Sequence, residues 1–332
     1  MSNEQYLAIL DLGSNSVRLK ITKIQDNGSF ETVQYEKRYV RLASNMGPEK
    51  MLKATPIKRT IEALKEFRAI CDRYQNKRLT IIAVATAAVR QAQNQLQFLE
   101  KVQQETGFEI HIISGEREAY LDYVGVNQTL PIDKGIIVDT GGASMELISV
   151  NNGEAEETVS IPIGSVSIAQ TYHLEDQINP ADLFDAMVKI DEVLSQQLWL
   201  NRMRETKIVA LGGCNRTLAK VYRWQQALNP EEVRPVHGLT MRSEEAFLIM
   251  RQLLEADRQT RASFRGITKV RADVIVGGLL PLISLVRQLS INEISFSNSG
   301  LREGLLFKYL EQQINFGQLK SSKIFIVRKN PD

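Results

Sequence analysis

One repeat constrains this chain more than any other feature. Leu7-Ala8-Ile9-Leu10 runs into Asp11-Leu12-Gly13-Ser14-Asn15-Ser16, after which Val17, Leu19 and Ile21 alternate with Arg18 and Lys20. Gly135-Ile136-Ile137-Val138 likewise runs into Asp139-Thr140-Gly141-Gly142-Ala143-Ser144, and Met145-Glu146-Leu147-Ile148 leaves again. Each copy reads as a buried strand closed by an acid, a polar Gly/Ser turn and an outgoing strand. The two acids are 128 positions apart. The economical reading is two similar halves facing one another, each built on the same hairpin.

Between and after the hairpins, apolar runs alternate with helical-period segments, the signature of an α/β protein with helices packed on sheets. Ile57, Ile61, Leu64, Cys71 and Tyr74 recur at helical spacing, followed by a short buried strand over 79–84. A helix over 91–105 leads to a strand over 109–113 and a third helix capped by Ser114 or Gly115, with acids in its first turn. Asn151-Asn152-Gly153 predicts a hairpin turn. A long helix over 180–203 leads to a strand over 207–211, and Gly212-Gly213-Cys214-Asn215 opens another helix. Helices over 269–288 and 302–315 flank a strand over 293–297, and residues from Lys320 onward read as a tail. The 332 residues suggest two domains, each with its own core.

Composition narrows the function. The net charge of +2 argues against nucleic acid or an anionic membrane as a bulk partner, so a polyanion must be held by a local site. The two cysteines, Cys71 and Cys214, lack disulfide or zinc-knuckle spacing and fit a reducing compartment. The N-terminus shows no secretory signal. The apolar run from Val274 to Val286 is too short to span a bilayer and reads as a buried helix. A cytoplasmic protein is expected.

A strand that ends in Asp and enters a Gly/Ser turn offers backbone N–H groups and hydroxyls to an anion, while its carboxylate can hold a divalent cation. Phosphate with Mg²⁺ satisfies both. A single such turn more often only reverses the chain. Two copies, with a third Gly-Gly turn before a helix at Gly212-Gly213, point to anion binding.

Five segments together resemble the exopolyphosphatase/guanosine pentaphosphate phosphohydrolase (Ppx/GppA) family: Ile9-Leu10-Asp11-Leu12-Gly13-Ser14-Asn15-Ser16, Ala85-Thr86-Ala87-Ala88-Val89-Arg90, Ile113-Ser114-Gly115-Glu116-Arg117-Glu118-Ala119, Val138-Asp139-Thr140-Gly141-Gly142-Ala143-Ser144-Met145-Glu146, and Leu301-Arg302-Glu303-Gly304. Their order and spacing match from about residue 5 to residue 312. The resemblance implies an actin-like ATPase fold, with two ribonuclease-H-like domains flanking a cleft. The boundaries would be 1–122 and 123–300, with a helix over 301–316 packing back on the first domain and a tail over 317–332. The chain's extent corresponds to the shorter, two-domain members.

The implied activity is Mg²⁺-dependent release of terminal phosphate from inorganic polyphosphate or guanosine pentaphosphate, with no nucleic acid or membrane partner and a homodimer allowed. Such chemistry needs an in-line water, charge neutralisation and a group that orients the water. By resemblance Glu118 is the catalytic glutamate that orients or deprotonates the attacking water, although Glu in a first helical turn commonly just faces the helix dipole. Glu116 is the neighbour that competes for the role. Arg90 would fork onto phosphate, although a surface ion pair is the usual fate of an arginine. Asp11, Asp139 and Glu146 would gather around Mg²⁺. Ser14, Asn15, Ser16, Gly141, Gly142, Ala143, Ser144, Gly212 and Gly213 would cradle phosphate oxygens, and Arg18 and Arg271 would bind phosphates further along the substrate. The bland readings are strand-end turns for the aspartates and an ion pair with Asp273 for Arg271. His237 fits the family pattern, but a lone His beside Gly reads as a turn residue.

The second turn departs from the family's usual Asp-Ile-Gly-Gly-Gly-Ser-Thr-Glu at Ala143 and Met145. If position 143 needed φ > 0, Ala there would cost about 1–2 kcal/mol. Met145 removes a hydroxyl. These departures motivate a rival reading, a catalytically weakened polyphosphate or alarmone sensor. A third reading, an ATP-using kinase of the same superfold, lacks an identifiable sugar-binding Asp or adenine pocket.

Overall fold

The computed structural model describes residues 4–314 apart from 75, 228, 230 and 232. The chain forms two compact units, a first that ends at Ser114 and resumes at Gly304, and a second spanning Gly115–Glu303. Among the described residues no helix is long and apolar enough to cross a membrane.

The first unit contains β1 (Gln5–Leu12), β2 (Ser16–Ile24), β3 (Phe30–Tyr39), α1 (Ala54–Asp72), β4 (Arg78–Ala85), α2 (Ala87–Gln91), α3 (Gln95–Thr106) and β5 (His111–Ile112). Its sheet order is β3-β2-β1-β4-β5, an antiparallel meander continued by parallel strands. Central β1 is buried along nearly its whole length, as a strand with a parallel neighbour must be, whereas edge strand β3 is exposed or half-buried throughout.

The second unit contains α4 (Gly115–Asn127), β6 (Gly135–Thr140), β7 (Met145–Asn151), β8 (Glu154–Ile161), α5 (Ser165–Thr171), α6 (Pro180–Ser195), β9 (Lys207–Gly212), α7 (Gly213–Gln226), β10 (Thr240–Arg242), α8 (Ser243–Glu255), α9 (Arg258–Ser263), α10 (Ile275–Gln288), β11 (Glu293–Phe296) and the start of α11 (Leu301–Ile314). Its sheet order, read from the meander side, is β8-β7-β6-β9-β11-β10. The first five positions repeat the first unit strand for strand. An antiparallel three-strand meander followed by parallel strands is the ribonuclease-H-like arrangement, and its duplication is the actin-like ATPase fold.

Three helices differ from the pattern read in the sequence. The helix expected over 91–105 begins only at Gln95, as α3, and a separate short helix, α2, ends at Gln91. Ala92 is extended, and the Asn94 side chain is tied to both the N–H and the C=O of Leu52 at 3.0 Å, which holds the break. The helix expected over 180–203 stops at Ser195 and resumes as a 3₁₀ segment, Leu198–Met203. The one expected over 269–288 starts as a 3₁₀ turn, Lys269–Arg271, before α10. Every residue of α10 up to Val286 is buried, Pro281 included, and each large apolar side chain there contributes about 1.5–3 kcal/mol of burial. Asn152 and Gly153 both have positive φ, at 50° and 76°, the geometry a two-residue hairpin turn demands.

The boundaries also differ from 122/123 and 300/301. Helix α4 belongs wholly to the second unit because its buried residues, among them Leu121 and Val124, pack on β6, β7 and β8. The last helix crosses the second boundary at Glu303/Gly304. Beyond it Phe307 meets Phe30 edge-on at 5.9 Å, and the Tyr309 hydroxyl reaches Thr80 at 3.4 Å. Residues 317–332, expected as a tail, lie outside the described residues.

Candidate active site

The two turns are built alike. The Gly13 N–H donates to the Ser16 carbonyl at 3.2 Å, and 128 positions later the Gly141 N–H donates to the Ser144 carbonyl at 2.9 Å. In both, the turn's carbonyls are claimed by a neighbouring segment. Val40 and Arg41 donate to the Asn15 carbonyl and Ala43 to that of Ser14. Ser165 donates to Gly141, and Val166 and Ser167 to Gly142, from the first turn of α5. The N–H of Gly141, assigned to phosphate in the sequence reading, is therefore committed inside its own turn.

The turns diverge in charge. Strand register places Asp11 opposite Arg18 in the first unit and Asp139 opposite Glu146 in the second. Asp11 lies 3.4 Å from the Arg18 guanidinium, so this carboxylate carries a cation from its own chain and the Arg18 fork is partly committed to it. Glu146 faces another acid. It is 1% exposed, and its Oε1 accepts from the Ser144 and Ser160 hydroxyls, each at 2.7 Å. Two acids at one register position repel, and a cation between them removes that cost.

Helix α4 adds to this group. Glu116 is exposed, whereas Glu118 is buried, which separates the two candidates for the catalytic acid. One turn on, at Asp122, sits a carboxyl the motif reading did not single out. It is 1% exposed, and neither oxygen has a hydrogen-bond partner of good geometry. Burial pushes the Asp122 carboxyl well above the ordinary range, Asp139, Glu146 and Glu118 push it the same way, and the Leu301 N–H opposes them. Asp122 thus lies within electrostatic reach of three other carboxyl groups of the second unit. They offer only oxygen donors, the type Mg²⁺ takes. Among the described residues no three His, Cys, Asp or Glu side chains are disposed to hold an ion directly, so a hard cation here would keep several of its waters.

The Gly-Gly turn is fixed by packing against this group. Gly212 has φ 91°, and a Cβ there would collide with the Thr140 backbone and lie 2.7 Å from Asp139 Oδ1. A Cβ on Gly213 would strike the guanidinium of Arg271, which is 7% exposed and donates to Cys214 Sγ at 3.4 Å. Arg271 therefore lies over the N-terminus of α7. Asn215, also missed, is fully buried and donates to the Leu211 carbonyl at 2.6 Å and the Thr140 hydroxyl at 3.2 Å, tying β6 to α7. In the first unit, Arg90 donates to the Ile113 carbonyl at 2.9 Å, and Ser14 Oγ accepts from the Ala88 N–H at 3.2 Å. His237 bridges the Asn298 N–H and the Thr129 carbonyl, a structural role.

Neither departure in the second turn disturbs it. Ala143 is absent from the positive-φ residues, so it carries no left-handed strain. Met145 is fully buried in β7, which places its side chain in the core.

A duplicated ribonuclease-H-like sheet with an acid-rich hairpin turn in its second copy defines an α/β protein of the actin-like ATPase fold. Residues 21–313 match the family model of the Ppx/GppA phosphatase family, and the chain belongs to that family. Among solved structures it is similar to an exopolyphosphatase from Cytophaga hutchinsonii, with a TM-score of 0.83 at 26% identity over 92% of this chain and 98% of that one. It is also similar to the Aquifex aeolicus Ppx/GppA family member, with a TM-score of 0.72 at 28% identity over 93% and 99% of the two chains.

Proposed function

We propose that this chain is a Mg²⁺-dependent phosphoanhydride hydrolase that releases terminal orthophosphate from inorganic polyphosphate, with guanosine pentaphosphate as an overlapping substrate. The observation that carries this reading is the acid–acid pair Asp139 and Glu146 beside a Gly/Ser turn, with buried Glu118 within electrostatic reach of the same group. Family membership and the named activity of the Cytophaga hutchinsonii relative support the substrate class.

Asp139 and Glu146 would hold the metal, which when bound supplies positive charge to the phosphoryl oxygens. Glu118 accepts the proton of the attacking water or orients it, a role worth roughly 10²–10⁴ in rate. Backbone N–H groups from Gly142 to Ser144, and the N-terminus of α7 with Arg271 over it, bind phosphate oxygens. By its motif, Arg90 of the first unit is a further phosphate-binding residue. Asp11, already paired with Arg18, serves the first unit's phosphate turn rather than the cation.

Phosphate release from long-chain polyphosphate and from guanosine pentaphosphate, measured with and without Mg²⁺, tests this. Glu118→Gln is expected to lower kcat by about 10²–10⁴ with KM little changed, whereas Glu116→Gln retains activity. Unaltered turnover in Glu118→Gln would overturn the assignment. With Ala143 unstrained, no observation favours the sensor reading.

A further inference from the structure

Glu118, Asp139 and Glu146 belong to motifs; Asp122 does not. It stands one helical turn after Glu118, so both carboxyls leave α4 on one face. Its surroundings are tight. A Cβ on Gly300 would come 2.8 Å from Asp122 Oδ1 and 3.0 Å from Leu211 Cδ2, so no side chain fits at position 300 while this carboxyl stays in place. Gly125 is pressed on the Gly300 carbonyl, which holds α4 against this turn. Within this packing both Asp122 oxygens are buried and neither makes a hydrogen bond of good geometry, the nearby Leu301 N–H included, although almost every buried polar atom in a folded protein has a partner. A buried carboxylate so poorly satisfied, beside two acids and a third on its own helix, is accounted for by a cation or by the waters a cation carries.

We propose that Asp122 is a further member of the divalent-cation site, a positioning residue that accepts hydrogen bonds from waters of the ion held by Asp139 and Glu146. This rests on the metal dependence proposed above. Such outer carboxylates orient the ion's waters, and their loss typically weakens metal binding by about 10–100-fold. Glu118 leaves the same face of α4 one turn earlier, so both carboxyls would address waters of one ion.

The test is binding of Mn²⁺ alone to the full-length protein, followed by calorimetry and by electron paramagnetic resonance of free Mn²⁺, with no substrate present. The expected result is one site in the wild type, about 10–100-fold weaker in Asp122→Asn and restored in part by Asp122→Glu. Equal affinity in the wild type and Asp122→Asn would overturn the role of Asp122. Absence of any site in the wild type would instead overturn the metal dependence itself, so the two failures are distinguishable. A second measurement needs no variant. In the ¹⁵N-labelled wild type, one equivalent of Mn²⁺ is expected to broaden the Gly300 and Leu301 amide signals, which adjoin the Asp122 carboxyl. Sharp signals at those amides with Mn²⁺ bound would also overturn the proposal.

Discussion

Gly212→Ala separates two costs that are usually confounded. At φ 91° a β-carbon pays about 1–2 kcal/mol for left-handed backbone alone. Here it also meets the Thr140 carbonyl and amide, and those belong to β6, whose register with β9 pairs Thr140 with Gly212 itself. Backbone in a sheet interior cannot yield as a side chain tip can, so a further cost of about 1–3 kcal/mol follows. Gly153 supplies the control. It has φ 76° in the same unit, but a Cβ there meets nothing within 4 Å. Gly153→Ala should therefore lose about 1–2 kcal/mol and Gly212→Ala about 2–5 kcal/mol. Urea unfolding followed by circular dichroism reads the difference as a lower midpoint at unchanged slope. The same Cβ would lie 2.7 Å from Asp139 Oδ1, so Gly212→Ala should also lose phosphate release while Gly153→Ala keeps it. Equal midpoints for the two variants would refute the argument that contact with β6, rather than backbone conformation, makes glycine necessary at 212.

Two further outcomes follow from buried groups. Cys71 has its thiol pushed up to about 11 by burial and Cys214 is also buried, so native protein should react with a thiol reagent at pH 8 only as fast as it unfolds; rapid labelling of either would contradict this. The second outcome concerns pH. In metal-free buffer the raised Asp122 carboxyl means that the native state keeps a proton the unfolded chain has lost. Its contribution to stability is complete below the ordinary carboxylate range, near pH 4, and declines as pH rises toward the native pKa. Asp122→Asn escapes that decline, so its Tm should gain on the wild type as pH rises from about 4 to 8, and a pH-independent difference would count against it.

The two hairpins were legible because they are local. A four-residue turn fixes which strand residues oppose each other, so Asp139 facing Glu146 follows from a short stretch of sequence, as does the like geometry 128 positions away. The α/β class was equally legible from alternating apolar runs. The breaks at Ala92, Ser195 and Arg271 were not, because helical periodicity continued through them. In the first case it was the distant Leu52 backbone, bound to Asn94, that secured the break. Glu116 and Glu118 looked alike in the sequence, since both stand in the first turn of a helix. Only the packing of α4 on β6, β7 and β8 buries one and exposes the other.

What the sequence determined by itself is the pair of acid-headed turns, the strands that enter and leave them and the family to which their motifs point. What tertiary structure decided is the company each turn keeps. The pairings of Asp11 with Arg18 and of Asp139 with Glu146 lie within the hairpins, whereas Asp122 and Glu118 come within reach of the second pair from a helix whose own sequence gave no sign of it. Burial and field strength depend on what lies across space from a side chain, and the chain's local order does not encode that distance.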